Sequence, residues 1–419
     1  MAQTVLAYVL AGGEGSRLYP LTQRRAKSAV PFGGTRRLID VVLSNLVNSN
    51  IKKICVITQQ ETESLHRHIK YGWYPNFSLR GEFLESLPTK KTASSGWSRG
   101  TAEAVRHNAH FITNNNPKIV NVFGGDHVYI MDVSQMNDFH LDKSANLTIS
   151  VIPVKRSVAK GLGIIEVDKD GQIIGFEEKP ENPKPMPGNK EFCLVSMGNY
   201  AFSPKCLIDY LESDAKKEFS NDPEAVRSNP EQFSKHDFGF DVIPAMLRDG
   251  KMIFAYNFME NSVPGQKKNE IGYWRDVGNI DEFYKANMEL RSSNPPINLD
   301  IKDWEILTYI VSSRPVRTEG KGSFLESIAA NGSLIKGIAK GSILSYNTTI
   351  NEEAEVTDSI LMGDNVIGKG AIVKNAIIDK RVVIPDKETV GVDREKDEER
   401  GFYKSSSKTI PVVPEDYKF

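Results

Sequence analysis

The residues best suited to chemistry stand near the start of the chain. Leu10-Ala11-Gly12-Gly13-Glu14-Gly15-Ser16-Arg17-Leu18 is followed by Arg25-Ala26-Lys27 and then by Phe32-Gly33-Gly34. Glycines let a backbone approach a ligand closely and turn its N–H groups inward, which suits a phosphate chain. Arg17 and Lys27 supply cationic charge to neutralise it. The pattern is not a Rossmann fingerprint, because Leu18 stands where a third glycine belongs. Nor is it a Walker A loop, because Gly-Lys-Ser/Thr is missing. On its glycines alone the turn is equally a plain strand-to-helix connection. With Arg17 and Lys27 beside it, a nucleoside-triphosphate cradle is favoured.

Other groups of this kind lie far along the chain. Gly124-Gly125-Asp126-His127 follows the apolar run Ile119–Phe123. A carboxylate just past the carboxyl end of a parallel strand sits where α/β sheets place ligands, and Asp suits Mg²⁺ shared with phosphate oxygens. Read alone, Asp126 is either such a ligand or a cap on the next turn, with His127 its neighbour. Tyr273-Trp274-Arg275-Asp276-Val277-Gly278 supplies a second carboxylate, which in isolation reads as a buried partner of Arg275. In Glu177-Glu178-Lys179-Pro180, Lys179 either holds a sugar phosphate or is an exposed turn charge. Trp97-Ser98-Arg99-Gly100-Thr101 precedes a helix start, which either favours an anion or is a simple cap.

The elements that position these groups alternate. Val5–Ala11, Lys53–Thr58 and Ile119–Phe123 read as buried strands. Leu38, Ile39, Val42, Leu43, Leu46 and Val47 follow helical spacing, as do 61–70 and Ala102–Ile112, the last starting near Thr101. This order predicts an α/β fold with a mainly parallel sheet. Thr148–Pro153, Ile164–Val167 and Gln172–Phe176 add antiparallel strands around the turn Asp168–Gly171. Segments 181–190 and 220–235 read as loops, and Leu207–Lys217 as a helix. A further helix, Ile280–Arg291, is opened by Asn279, with Glu282 in capping-box spacing. After Asn294-Pro295-Pro296 the character changes. Ile338, Leu344, Ile350 and Val356 recur every sixth residue. After a slip, Ile360, Val366, Ile372, Ile378, Ile384 and Val390 do the same. That period predicts a parallel β-helix whose coils stack inward aliphatics. The expected domains are 1–294, a linker at 295–329, and 330–419 with its tail.

Composition excludes several classes. The 419 residues are 39% hydrophobic and 26% charged, and 53 basic against 54 acidic residues leave a net charge of −1. Nothing there draws nucleic acid or a membrane surface. Cys55, Cys193 and Cys206 match no disulfide framework or zinc motif, which fits a reducing cytoplasm. No signal peptide or membrane span is read from the chain.

Taken in order, these segments resemble the bacterial and plant ADP-glucose pyrophosphorylases (glucose-1-phosphate adenylyltransferases), within the sugar-nucleotide pyrophosphorylase family. The matching segments are Leu10–Leu18, Arg25–Gly34, Ile57-Thr58-Gln59, Trp97–Ala102, Gly125-Asp126-His127, Glu178-Lys179-Pro180, Ser196-Met197-Gly198, His236-Asp237-Phe238-Gly239, Tyr273–Gly278 and Arg400–Tyr403. The resemblance implies a Rossmann-like nucleotidyltransferase domain followed by a left-handed parallel β-helix. It implies ATP and glucose 1-phosphate as substrates, with Asp126 and Asp276 holding Mg²⁺ and Arg17 and Lys27 on the phosphates. Gly12, Gly13, Gly15 and Ser98 would serve the nucleotide. Gly163, Glu178, Lys179 and Ser196 would serve the sugar phosphate. Phosphorylated or nucleotide effectors would meet Arg24, Arg25, Arg400 and Lys404, in a cytoplasmic homotetramer.

The chain departs from the family pattern at three places. Ser28 replaces a usual Pro, and Ser98 replaces a usual Tyr. Leu87-Pro88-Thr89-Lys90-Lys91 replaces a segment with two Gln near the base, which opens the question of nucleobase choice. A pyrophosphorylase using UTP or dTTP is therefore one rival. A non-catalytic regulatory subunit is a second, opposed by the retention of Arg17, Lys27, Asp126 and Asp276. A hexapeptide acyltransferase is a third, opposed by the lack of any His after His236.

Overall fold

In the computed structural model, residues 4–13, 15–59, 62–77, 79–89, 98–403 and 409–419 are described. The opening run Val5–Ala11 is a strand with Leu6, Ala7, Tyr8 and Val9 fully buried. It has parallel neighbours on both sides, Lys53–Thr58 and Ile119–Gly124, and Lys53–Thr58 pairs in parallel with Phe83–Pro88. A strand covered on both faces is apolar throughout rather than alternating, as Val5–Ala11, the buried part of Lys53–Thr58 and Ile119–Gly124 are, whereas Phe83–Pro88 is an edge. These strands belong to a 9-stranded mixed sheet. On one side Phe192–Phe202 runs antiparallel to Ile119–Gly124 and to Leu147–Lys155, and the hairpin Gly163–Val167 with Ile173–Glu178 extends that side. Helices cover both faces, including Leu38–Asn48 over one and Thr101–Arg106 over the other.

Two segments differ from the reading of the sequence. The helix expected over Ala102–Ile112 is two, Thr101–Arg106 and His110–Asn115. Asn108 explains the break. Its side-chain amide donates back to the Ala104 carbonyl at 2.9 Å, and its own carbonyl accepts both the Tyr8 hydroxyl at 2.7 Å and, in a tighter i→i+3 turn, the Phe111 N–H at 3.1 Å. The stretch 220–235 is not all loop. Asp222 accepts from the Glu224 N–H, Pro223 follows at the first helical position, and Pro223–Ser228 is a helix.

The C-terminal part is a left-handed parallel β-helix with three 5-stranded sheets, one on each side of the coil. Stacking begins at Arg317–Thr318, inside the stretch expected as linker, and the tail strand Val412–Val413 completes the third sheet against Ile377–Ile378. Ile338 pairs with Ser323 fifteen residues before it and with Glu355 seventeen after it, and Glu355 pairs with Ile372, so a coil takes 15 residues and then 17. Three sides therefore cannot all be hexads, and a strict six-residue count loses register. The interior is built by Ala339, Leu344, Ile350, Val356, Leu361, Ile367, Val373, Ile378, Ile384 and Val390. Ile338, Ile360, Val366 and Ile372, expected inside, sit one place off the inward position. Neighbouring strand residues point to opposite faces, so each of them faces outward from the coil. Ile360 is nonetheless buried, because with Met362, Ile377 and Val412 it packs on the core of the first domain.

Candidate active site

The cleft lies past the carboxyl ends of the parallel strands. Val5–Ala11 delivers Gly12 and Gly13, Lys53–Thr58 delivers Gln59, Phe83–Pro88 delivers Thr89, and Ile119–Gly124 delivers Asp126. One short ladder then does the decisive positioning. Trp274–Asp276 pairs antiparallel with His127–Tyr129, and Asp276 sits directly opposite His127. Two carboxylates distant in sequence are thereby brought around one ammonium. Lys27 Nζ is 2.7 Å from Asp126 Oδ2 and 3.5 Å from Asp276 Oδ1. Arg17 rides on the turn Ser16–Leu18, opened by Gly15 in the left-handed region at φ 59°, where a side chain would be strained and would press on Thr22. Its guanidinium lies by Gly278, next to the Asp276 carboxylate.

Burial alone would push Asp126 up and Lys27 down. Their mutual attraction outweighs it: Asp126 is held at about 2, with His127 and Arg17 helping, and Lys27 stays above its ordinary value. Both carboxylates are partly open to the cleft. Hard oxygen donors of this kind suit a small divalent cation that takes its remaining ligands from water and phosphate. Among the described residues no group of three or more His, Cys, Asp and Glu forms a closed metal cage. His127 stays 3.7 and 3.9 Å from the two carboxylates, a neighbour of the pair.

Gly12, Arg17, Lys27, Asp126, Gly163, Glu178, Lys179, Ser196 and Asp276 all line this one cavity. Gly163 lies against the Phe176 ring and the Glu178 carboxylate, leaving no room for a side chain. Burial raises Glu178, while Lys179, 3.0 Å away, opposes the shift. The sequence reading gave no role to Thr101, Tyr200, Asp237 or Trp274, which line the same cavity. Asp237 accepts from Thr101 Oγ1 at 2.8 Å and from the Gly239 N–H at 2.9 Å. The backbone oxygen of His236 accepts from the Ala102 N–H at 2.9 Å and lies so close to Gly100 that any side chain there would collide with it. The Asp-Phe-Gly spacing, an N-cap signature after a polar run, was the available clue to Asp237.

Gly13 and Ser98 line an adjoining cavity with Leu10, Gly12, Ile57, Gln59 and Thr89. Ser98 lends its carbonyl to Gln59 Nε2 at 2.9 Å. Gly15 faces neither cavity and shapes the turn instead. Ser28 is buried beneath the loop and donates to the Ala11 carbonyl at 3.4 Å. Trp97, Lys90, Lys91 and Lys404 lie outside the described residues.

Arg24 and Arg25 form a seam between the domains, whereas Arg400 pairs within the C-terminal domain. Arg25, 3% exposed, pairs with Asp379 and Glu415, each at 2.8 Å. Arg24 reaches Asp416 at 2.6 Å, and Arg400 reaches Glu388 at 2.9 Å. Beside them burial and the neighbouring cations push Lys380 down to about 8, and Arg37 is lowered to about 10, chiefly by burial.

Known proteins match this arrangement along the whole chain. A nucleotidyl transferase family model covers residues 6–293, and a GlmU-like C-terminal hexapeptide model covers 313–413. The glucose-1-phosphate adenylyltransferase of Aliivibrio fischeri (strain ATCC 700601 / ES114) is 40% identical over 415 residues, 98% of each chain. Those of Corynebacterium jeikeium (strain K411) and Anaeromyxobacter sp. (strain Fw109-5) are 41% and 42% identical over 94% and 98% of this chain, and of their own. From the convergent carboxylates, the strand ends that carry them and this full-length similarity, the chain belongs to the glucose-1-phosphate adenylyltransferase branch of the nucleotidyl transferase family.

Proposed function

We propose that the protein transfers the adenylyl group of ATP to glucose 1-phosphate, releasing pyrophosphate and ADP-glucose for α-glucan synthesis. The observation that carries this is the meeting of Asp126 and Asp276 on Lys27 beside Arg17. Asp126 and Asp276 would hold Mg²⁺, which when bound neutralises phosphate charge. Arg17 and Lys27 bind the triphosphate, with Arg17 on the departing pyrophosphate. Gly12 and Gly13 offer backbone N–H groups at the strand end. Glu178, Lys179, Ser196 and Gly163 hold the sugar phosphate. Its phosphate oxygen attacks the α-phosphorus directly, forming one P–O bond as the bond to pyrophosphate breaks. Such a step needs alignment and charge neutralisation, and no protein nucleophile.

Initial rates of pyrophosphate release with glucose 1-phosphate and each of ATP, UTP and dTTP test this reading. ATP is expected to give the highest kcat/KM; a preference for UTP or dTTP overturns it. Phosphorylated or nucleotide effectors are proposed to act at Arg24, 57% exposed, and at Arg400 on the C-terminal domain; Arg25 is buried and already paired. Self-association as a homotetramer is supported by exposed apolar side chains on the first coils, Phe324, Leu325 and Ile338. A cytoplasmic setting is supported by three unpaired cysteines, and among the described residues no helix is long and apolar enough to cross a membrane.

A further inference from the structure

We infer that His236 is a positioning residue that couples the two substrate cavities. Its bond to Asp214 fixes a left-handed turn, and that turn ties the wall that carries Gly100 and Thr101 to the wall that carries Asp237 and Gly239. The inference rests on reading the cleft as that of a transferase with two substrates. His236 has φ 56°, a region where a residue with a side chain persists only if its surroundings hold it. Those surroundings are polar and buried. His236 Nδ1 is 2.8 Å from Asp214 Oδ2 and, facing a carboxylate, is the donor. Ser234 Oγ donates to Asp214 Oδ1 at 2.7 Å and accepts from the His236 N–H at 2.8 Å. All three residues are buried, and the Phe219 ring stacks on the imidazole with centroids 6.0 Å apart.

The turn aims the His236 carbonyl at the start of the helix Thr101–Arg106. There it accepts from the Ala102 and Glu103 N–H groups at 2.9 and 3.2 Å, donors that a helix start leaves unpaired. Thr101 Oγ1 donates to Asp237 and accepts from the Phe238 N–H at 3.1 Å. Thr101 and Asp237 line both cavities, so a ligand seated in either one meets a wall of the other. With the walls tied, the ligand that sets the shared wall first leaves less for the second to set, which is a coupling between the two sites. Glycine would adopt this turn with less strain. What His236 adds is the bond to Asp214, and the coupling is assigned to that bond.

The α,β-methylene analogue of ATP, which cannot release pyrophosphate-linked adenylyl, is titrated calorimetrically with Mg²⁺, with and without saturating glucose 1-phosphate. In the unaltered protein glucose 1-phosphate should tighten the analogue about fivefold or more. His236→Gly accepts the turn and drops the bond, and should cut that factor to about twofold or less. His236→Asn tolerates the turn and sets its amide nitrogen where the imidazole has Nδ1, so it should keep the factor. A merely structural role would lower the thermal midpoint of His236→Gly and leave the factor alone. A factor near one in the unaltered protein, a factor that His236→Gly retains, or one that His236→Asn loses overturns the role. If His236→Gly does not fold, Ser234→Ala takes its place. It removes the acceptor of the His236 N–H, with the same expected loss and the same contrary result. If the unaltered protein prefers UTP or dTTP in the rate assay, the adenylyl reading fails separately. The titrations are then run with the analogue of the preferred triphosphate, and a factor that His236→Gly retains there overturns the role of His236.

Discussion

The two ends of this chain are held together by different physics. The cleft is a charge arrangement: Lys27 sits among Asp126, Asp276 and Arg17 at strand ends that other elements hold still. The β-helix is an aliphatic stack, Leu344, Ile350 and Val356 repeated coil after coil. Between them lies a third regime, the buried ion pairs of Arg25 with Asp379 and Glu415. Charge in the cleft is there to be completed by a ligand, whereas charge at the seam already has its partners. The two kinds of basic residue look alike in sequence and differ in what their removal does.

The largest contrast comes from chelating divalent cations. Pyrophosphate release should fall by a hundredfold or more, a magnitude in keeping with about several kcal/mol of charge stabilisation. The thermal midpoint of the β-helix should not move; a matching loss of fold would merge what the structure keeps apart. Next, Arg25→Ala should cost about 3–5 kcal/mol in urea denaturation, because it leaves Asp379 and Glu415 buried without their counter-charge. A loss near zero would reassign Arg25 from seam to surface.

Within the β-helix two isoleucines sharpen the register. Ile350 is fully buried and Ile338 is 42% exposed, although both belong to the same six-residue series in the sequence. Ile350→Ala should cost about 2–5 kcal/mol. Ile338→Ala should cost about 0.5 kcal/mol or less in the isolated chain. Equal costs would restore the strict six-residue register.

A further effect is a pH slope at the seam. Burial, then Arg37 and Arg25, lowers Lys380 from 10.5 to about 8. Between those values the unfolded chain binds the extra proton, so stability rises with pH through that window. Lys380→Gln should lose the rise and be the more stable protein at pH 7, as thermal midpoints from pH 7 to 11 would report. A rise that survives the substitution assigns it to another group.

Much of this was legible in the residues. The central strands announce themselves because burial on both faces makes them apolar throughout, and Asn279 does cap its helix through the Glu282 N–H. The coil was legible as a period, but not its phase. Ile338 and Ala339 differ in size in the wrong direction, and only the 17-residue step shows that the smaller one points inward. Asp276 read alone as an ion-pair partner of Arg275. Arg275 instead pairs with Glu289 at 2.6 Å, and the ladder to His127 turns Asp276 toward Lys27. That pairing is long-range, and no local pattern encodes it. The role of Asp237 was missed for the same reason: its contact with Thr101 lies across the cleft, 136 residues away in sequence.

The convergence of the two aspartates is tested most directly by a double-mutant cycle on the rate of pyrophosphate release from ATP and glucose 1-phosphate. Asp126→Asn and Asp276→Asn should each slow turnover about a hundredfold or more, and the double variant should be no more than about tenfold slower than the worse single, as groups acting as a unit behave. Losses that multiply in full, or an Asp276→Asn variant with an undiminished rate, would contradict the account.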